Sequence, residues 1–249
     1  MNALQKRTSL LFGFLSILAL AGCGGQSGVD GSNEDARSNA AIPATGEIAP
    51  GELVIPVMGQ EVKIMAFGDS LFAGYGLAEP EGYPERLEAA LRGRGINARV
   101  IDAGVSGDTS AAGRDRLAFT LNGQDSPPDL FILELGGNDL LRGLSPDETR
   151  ANFDAMLTEL AAREIPVLLM GMRAPPNYGP EYQARFDAMY GELAAQYDTA
   201  LIPFWLEDIY QDPGLFQNDR IHPTAEGIEE LVASTIDEVA AAIPAQDTP

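Results

Sequence analysis

The chain of 249 residues has one cysteine, one histidine and one tryptophan, and its 16 lysines and arginines face 37 aspartates and glutamates. Each shortage excludes something. With Cys23 alone, no disulfide can form within the chain and no cysteine cluster can hold a metal. With His222 alone, no two-histidine metal site exists, and His222 is the one imidazole that could serve as a general base near neutral pH. A formal net charge of −21 repels nucleic acid and speaks against an electrostatic grip on anionic lipid or on coenzyme A. The apolar run from Ser9 to Ala21 falls short of the about 20 residues that a spanning helix needs. No internal repeat is evident.

That apolar run follows Lys6 and Arg7 and ends in Leu20-Ala21-Gly22-Cys23, the layout of an export signal. An ordinary secretory signal would share the basic start and apolar run, without need of the cysteine. Leu-Ala-Gly-Cys resembles the lipobox of bacterial lipoproteins, which implies cleavage before Cys23 and lipidation of its thiol. Several acyl chains, at about 0.8 kcal/mol per buried CH₂, would hold the mature chain on a membrane. Gly24 resembles an outer-membrane address, so the expected location is the outer membrane, facing the periplasm. Residues 1–22 are thus expected to be a signal peptide. Residues 23–51, rich in Gly, Ser, Asn and acids without periodicity, read as a lipidated cysteine and flexible acidic tether. Residues 52–245 are long enough for one domain with a full core.

Beyond Pro50 short apolar runs alternate with amphipathic stretches. Strands are predicted at 62–67, 98–102, 130–135, 167–172 and 201–204, and helices at 81–94, 109–121, 145–163, 181–197 and 224–242. Ser145-Pro146-Asp147-Glu148 carries a helix start in its side chains: a capping serine, proline in the first turn, then acids. Continuous apolar strands between helices predict a parallel sheet covered on both faces, an α/β three-layer α/β/α sandwich of about five strands. Working groups in such sheets sit beyond the carboxyl ends of the strands.

Ser70 falls there, in Ala66-Phe67-Gly68-Asp69-Ser70-Leu71 after the first predicted strand. The stretch alone is equally an ordinary turn of Gly, Asp and Ser. In the nucleophile reading Gly68 permits a sharp turn and Asp69 braces it. A serine hydroxyl needs a base to take its proton. Asn218-Asp219-Arg220-Ile221-His222-Pro223 places a carboxylate three residues before the imidazole, where Asp219 can fix the tautomer that frees Nε2. The same segment also reads as a turn leading into a helix capped by Thr224. An oxyanion requires donors. Gly104-Val105-Ser106-Gly107-Asp108-Thr109 offers backbone N–H groups ahead of a helix, and Asn138 in Leu135-Gly136-Gly137-Asn138-Asp139 offers a side-chain amide. Either loop alone is common loop chemistry.

In combination the segments Gly-Asp-Ser-Leu, Ser-Gly-Asp-Thr, Gly-Gly-Asn-Asp and Asp-Arg-Ile-His-Pro resemble the four blocks of the SGNH (GDSL) hydrolases. Ser106–Ser110, Leu135–Gly143 and Arg173–Gly179 are similar to the bacterial periplasmic arylesterase, thioesterase and lysophospholipase branch. The resemblance implies a flavodoxin-like sheet and no cofactor. It implies Ser70 as nucleophile with Asp219 and His222, and an oxyanion hole of the Ser70 and Gly107 N–H groups with the Asn138 side chain. It also implies a mobile loop after Gly-Gly-Asn-Asp that shapes an acyl pocket, whose wall is expected from Leu140, Leu141, Leu144, Pro175 and Tyr178. The expected substrates are short- to medium-chain acyl esters, lysophospholipids among them. A polysaccharide O-deacetylase is the enzymatic alternative and a lipoprotein binding module the non-enzymatic one. An aromatic sugar platform would favour the deacetylase, but Trp205 reads as strand-end packing.

Overall fold

A computed structural model describes residues 57–245; the expected signal peptide, Cys23 and the tether lie outside the described residues. Five strands form one sheet: β1 (Val62–Gly68), β2 (Ala98–Gly104), β3 (Leu130–Glu134), β4 (Val167–Met170) and β5 (Ala200–Ile202), in the order β2-β1-β3-β4-β5. All pairs are parallel, with Val62 opposite Ala98 and Ile64 opposite Leu130. Side chains alternate across the pleat. Ile64, Ala66, Ile132 and Leu168 pack on one side with residues of α1 (Tyr83–Gly93) and α6 (Ala225–Ala242). Met65, Phe67, Leu133 and Leu169 pack on the other with α2 (Ser110–Asn122), α4 (Pro146–Ala162) and α5 (Pro180–Tyr197). This is the predicted three-layer α/β/α sandwich.

Local departures from the sequence reading have local causes. Helix α1 starts at Tyr83 rather than Glu81, because Glu79–Glu81 forms its own 3-10 turn, with Glu81 accepting from the Ala78 N–H. The fourth strand stops at Met170 and the fifth at Ile202; Phe204 and Trp205 lie beyond the sheet. Trp205 is buried against Phe72 and Tyr83, as the reading of strand-end packing has it. A five-residue helix, α3 (Gly137–Leu141), was not predicted; it is too short to show a 3.6-residue period and opens on three residues, Gly136, Gly137 and Asn138, that disfavour helix. Ser145 and Thr224 cap α4 and α6 by accepting from Asp147 and Gly227 N–H groups. Because all strands run the same way, the loops after all five open at one edge of the sheet.

Candidate active site

At that edge the Ser70 hydroxyl lies 2.9 Å from His222 Nε2, and His222 Nδ1 lies 2.7 Å from Asp219 Oδ2. Asp219 Oδ1 accepts from the N–H groups of Ile221 and His222 at 3.0 and 3.1 Å, so the carboxylate shapes the loop that carries the histidine. Partial burial pushes Asp219 up, but the His222 bond and the two amides outweigh it and hold the carboxyl at about 2. An ionised carboxylate only accepts, so Nδ1 carries the hydrogen, and in the neutral ring Nε2 is bare and accepts from Ser70. The loop is closed behind the ring by Gln217, whose N–H donates to His222 O and whose side chain donates to Tyr75 O and Pro223 O. The Tyr75 ring lies 4.4 Å from the imidazole, centroid to centroid.

Ser70 follows β1 at the start of a helical turn in which Ala73 N donates to Asp69 O and Tyr75 N to Ser70 O. Asp69 braces this turn by accepting from Leu71 N at 3.0 Å. The role expected of Gly68 is corrected. Its backbone is not in the left-handed region; a Cβ there would stand 2.7 Å from Glu134 Oε2 and 2.9 Å from Phe72, so glycine is required by close packing and not by the turn. Asp69 is buried, and burial raises it to about 6 against hydrogen bonds from Leu71 and Asn138. Beneath it Glu134, fully buried, accepts from Asp69 N, while its Oε1 has no partner. Burial, with the charge of Asp69 second, drives Glu134 well above the usual carboxyl range.

Gly107 lies two residues before the Thr109 cap of α2, with φ +88°. Here the conformation itself favours glycine. Its carbonyl accepts from Arg142 at 2.8 Å. The Asn138 amide donates to Asp69 Oδ2 at 2.9 Å, which leaves its second N–H available. Two ties not legible in the sequence align these loops. Arg116 pairs with Asp108 at 2.6 Å, donates to Gly68 O at 2.9 Å and lies 3.7 Å over the Phe67 ring. Asp139, fully buried, accepts from the Ser110 N–H and hydroxyl and from Thr149, and Asn152 donates to Ser110 Oγ.

Ser70 and His222 line a cavity of about 500 Å³, within the usual range for small-molecule sites of about 300–1,000 Å³. Gly107, Asn138, Leu140, Leu141, Pro175 and Tyr178 line it too. Leu144 does not: it lies past α3, with its carbonyl held by the Tyr182 hydroxyl. The further lining residues Phe204, Leu206, Tyr210, Phe216 and Ile221 escaped the sequence reading. Their available signal was an apolar, aromatic loop without helical period beyond the last strand.

A serine, an imidazole and a carboxylate bonded in line beside an apolar cavity, at the carboxyl edge of a parallel sheet, form an arrangement suited to acyl hydrolysis. The sequence profile of the GDSL-like Lipase/Acylhydrolase family matches residues 66–229, and the chain belongs to that family. It is 42% identical to esterase TesA of Pseudomonas aeruginosa over 160 residues, 64% of this chain and 79% of that one. It is 37% identical to thioesterase 1/protease 1/lysophospholipase L1 of Escherichia coli strain K12 over 163 residues, 66% of this chain and 76% of that one. The solved structure of AlinE4, an SGNH-hydrolase family esterase, is 60% identical, with a TM-score of 0.64 over 76% of this chain and all of that one. The protein is a carboxylic ester hydrolase.

Proposed function

We propose that the protein is a membrane-anchored esterase that cleaves short- to medium-chain acyl esters by way of Ser70, His222 and Asp219. Nε2 of His222 takes the hydroxyl proton as Ser70 Oγ attacks the carbonyl carbon. The N–H groups of Ser70 and Gly107 and the free N–H of Asn138 receive the oxyanion. The same proton then passes from His222 to the departing alcohol, leaving an acyl-serine that water hydrolyses by the same relay. The observation that carries this reading is the unbroken line from Ser70 Oγ through the imidazole to Asp219, at 2.9 and 2.7 Å, opening into the apolar cavity. The burial of Trp205, which withdraws the one tryptophan from any sugar platform, supports the esterase over the deacetylase alternative. The anchor is Cys23, on the strength of its Leu-Ala-Gly-Cys setting, and the proposed location is the periplasmic face of the outer membrane.

The test is steady-state hydrolysis of p-nitrophenyl esters from acetate to laurate by the full chain and by Ser70→Ala. We expect turnover that peaks between butyrate and octanoate and disappears in the folded variant. Turnover confined to acetate would favour the deacetylase, and appreciable turnover by Ser70→Ala would end the nucleophile assignment.

A further inference from the structure

Arg220, between Asp219 and His222, has φ +62°. The other non-glycine residues with positive φ among the described residues, Glu164 and Asp198, follow α4 and α5, where left-handed geometry ends a helix. Arg220 ends no helix. Its conformation is imposed by the site: Asp219 gathers the Ile221 and His222 amides, and the Arg220 N–H closes a turn on Gln217 O at 3.0 Å. Glycine would adopt this shape without steric cost. A long cationic residue stands there instead, exposed, and it is among the residues lining the cavity that Ser70 and His222 also line.

The guanidinium is also uncommitted. In this acidic chain eight arginines among the described residues pair with carboxylates. Arg173, the other arginine on the cavity wall, is one of them, held by Glu207 at 2.9 Å with its guanidinium 4.7 Å over the Phe204 ring. Arg220 makes no ion pair or side-chain hydrogen bond among the described residues. Its position also assigns it a side of the substrate. His222 must hand its proton to the leaving oxygen, so the alcohol lies against the histidine loop, where Phe216, Arg220 and Ile221 form the wall. The acyl chain is left the wall of Leu140, Leu141, Pro175 and Tyr178 beyond Asn138.

We infer that Arg220 recognises a negative charge on the alcohol part of the ester, so that the preferred substrates are esters whose leaving group carries an anion. The inference rests on the ester-hydrolase reading above. A net charge of −21 repels such substrates at a distance, which makes a single free cation at the cavity wall decisive at contact.

The experiment compares two chromogenic esters of one acyl chain, neutral 2-nitrophenyl butanoate and anionic 3-butanoyloxy-4-nitrobenzoate, on the full chain and on Arg220→Gln and Arg220→Gly. In both variants the ratio of kcat/KM for the anionic over the neutral ester is expected to fall about tenfold, the scale of one charge-assisted hydrogen bond, and to do so through KM. Arg220→Gly removes the backbone cost together with the charge, so a fall in both variants separates charge from strain. An unchanged ratio, or equal losses on the two esters, overturns the inference while leaving the esterase intact. A wild-type chain that cleaves neither ester would instead overturn the esterase reading on which it rests.

Discussion

Asp69 and Asp219 flank the proposed reaction with carboxyl groups displaced in opposite directions. Asp219 is held at about 2, so its bonds to the histidine loop stabilise the fold above pH of about 4, and that contribution is lost as pH falls through about 2. Asp69 is raised to about 6, chiefly by burial. The folded chain therefore keeps a proton that the unfolded chain releases from about pH 4 upward, and stability is lost as pH rises through about 6. Thermal unfolding of Asp69→Asn, followed by circular dichroism at pH 4, 5, 6 and 7, should give a Tm that declines less steeply over this window than the wild type. One hydrogen bond from Leu71 or Asn138 is lost in the variant, so the slope and not the absolute Tm is the readout. Parallel slopes would show that Asp69 does not carry the effect. The serine, histidine and Asp219 were legible because their partners are close in sequence or unique in the chain. The Asp69–Glu134 contact was not, because Glu134 reads as one more residue of a buried strand until the register of β1 on β3 brings the two together.

At the scale of elements, the proposed oxyanion donor Asn138 stands next to a buried carboxylate that ties its short helix to α2 and α4. Asp139 on α3 takes the Ser110 amide and hydroxyl at the start of α2 and the Thr149 hydroxyl in the first turn of α4. Removing it strands the buried Ser110 amide and hydroxyl, each worth about 1–3 kcal/mol when left unpaired, though such losses overlap, while the Thr149 hydroxyl keeps the Ser145 carbonyl as acceptor. Asp139→Ala should therefore destabilise the fold by about 3 kcal/mol in urea titration. It should also lower kcat by about 10- to 100-fold with a smaller change in KM, because Asn138 is the next residue and small misplacements at reacting groups are costly. A stability loss with kcat unchanged would make the network structural alone. The order of strands and major helices followed from apolar runs and capping residues, since those signals are local. Helix α3 and the lining residues from Phe204 to Ile221 were hidden, because the helix is too short for periodicity and the lining residues acquire meaning only when the fold brings them to the cavity that Leu140 and Tyr178 also line.

For the molecule as a whole, charge and the proposed anchor act in opposite senses. A net charge of −21 repels anionic lipid, so electrostatics cannot hold this chain on such a surface. No helix among the described residues is long and apolar enough to cross a membrane. The proposed attachment therefore rests on acyl chains at Cys23, two or more of which suffice for stable anchoring. Of the exposed large apolar side chains among the described residues, Tyr75, Leu141, Tyr210 and Ile221 line the cavity that would receive an acyl ester, while Met58, Val105 and Phe119 do not. Expressed in a bacterial cell, the wild-type chain should sediment with the membranes, resist a wash in 1 M salt and come off in detergent. Salt resistance follows because screening cannot weaken an attachment that has no ionic part. Cys23→Ser should appear in the soluble fraction with kcat/KM on a water-soluble ester unchanged, since the cysteine is remote in sequence from every residue of the proposed site. If Cys23→Ser stays on the membrane, or if salt alone releases the wild type, the acyl anchor is wrong and some surface of the chain itself makes the contact.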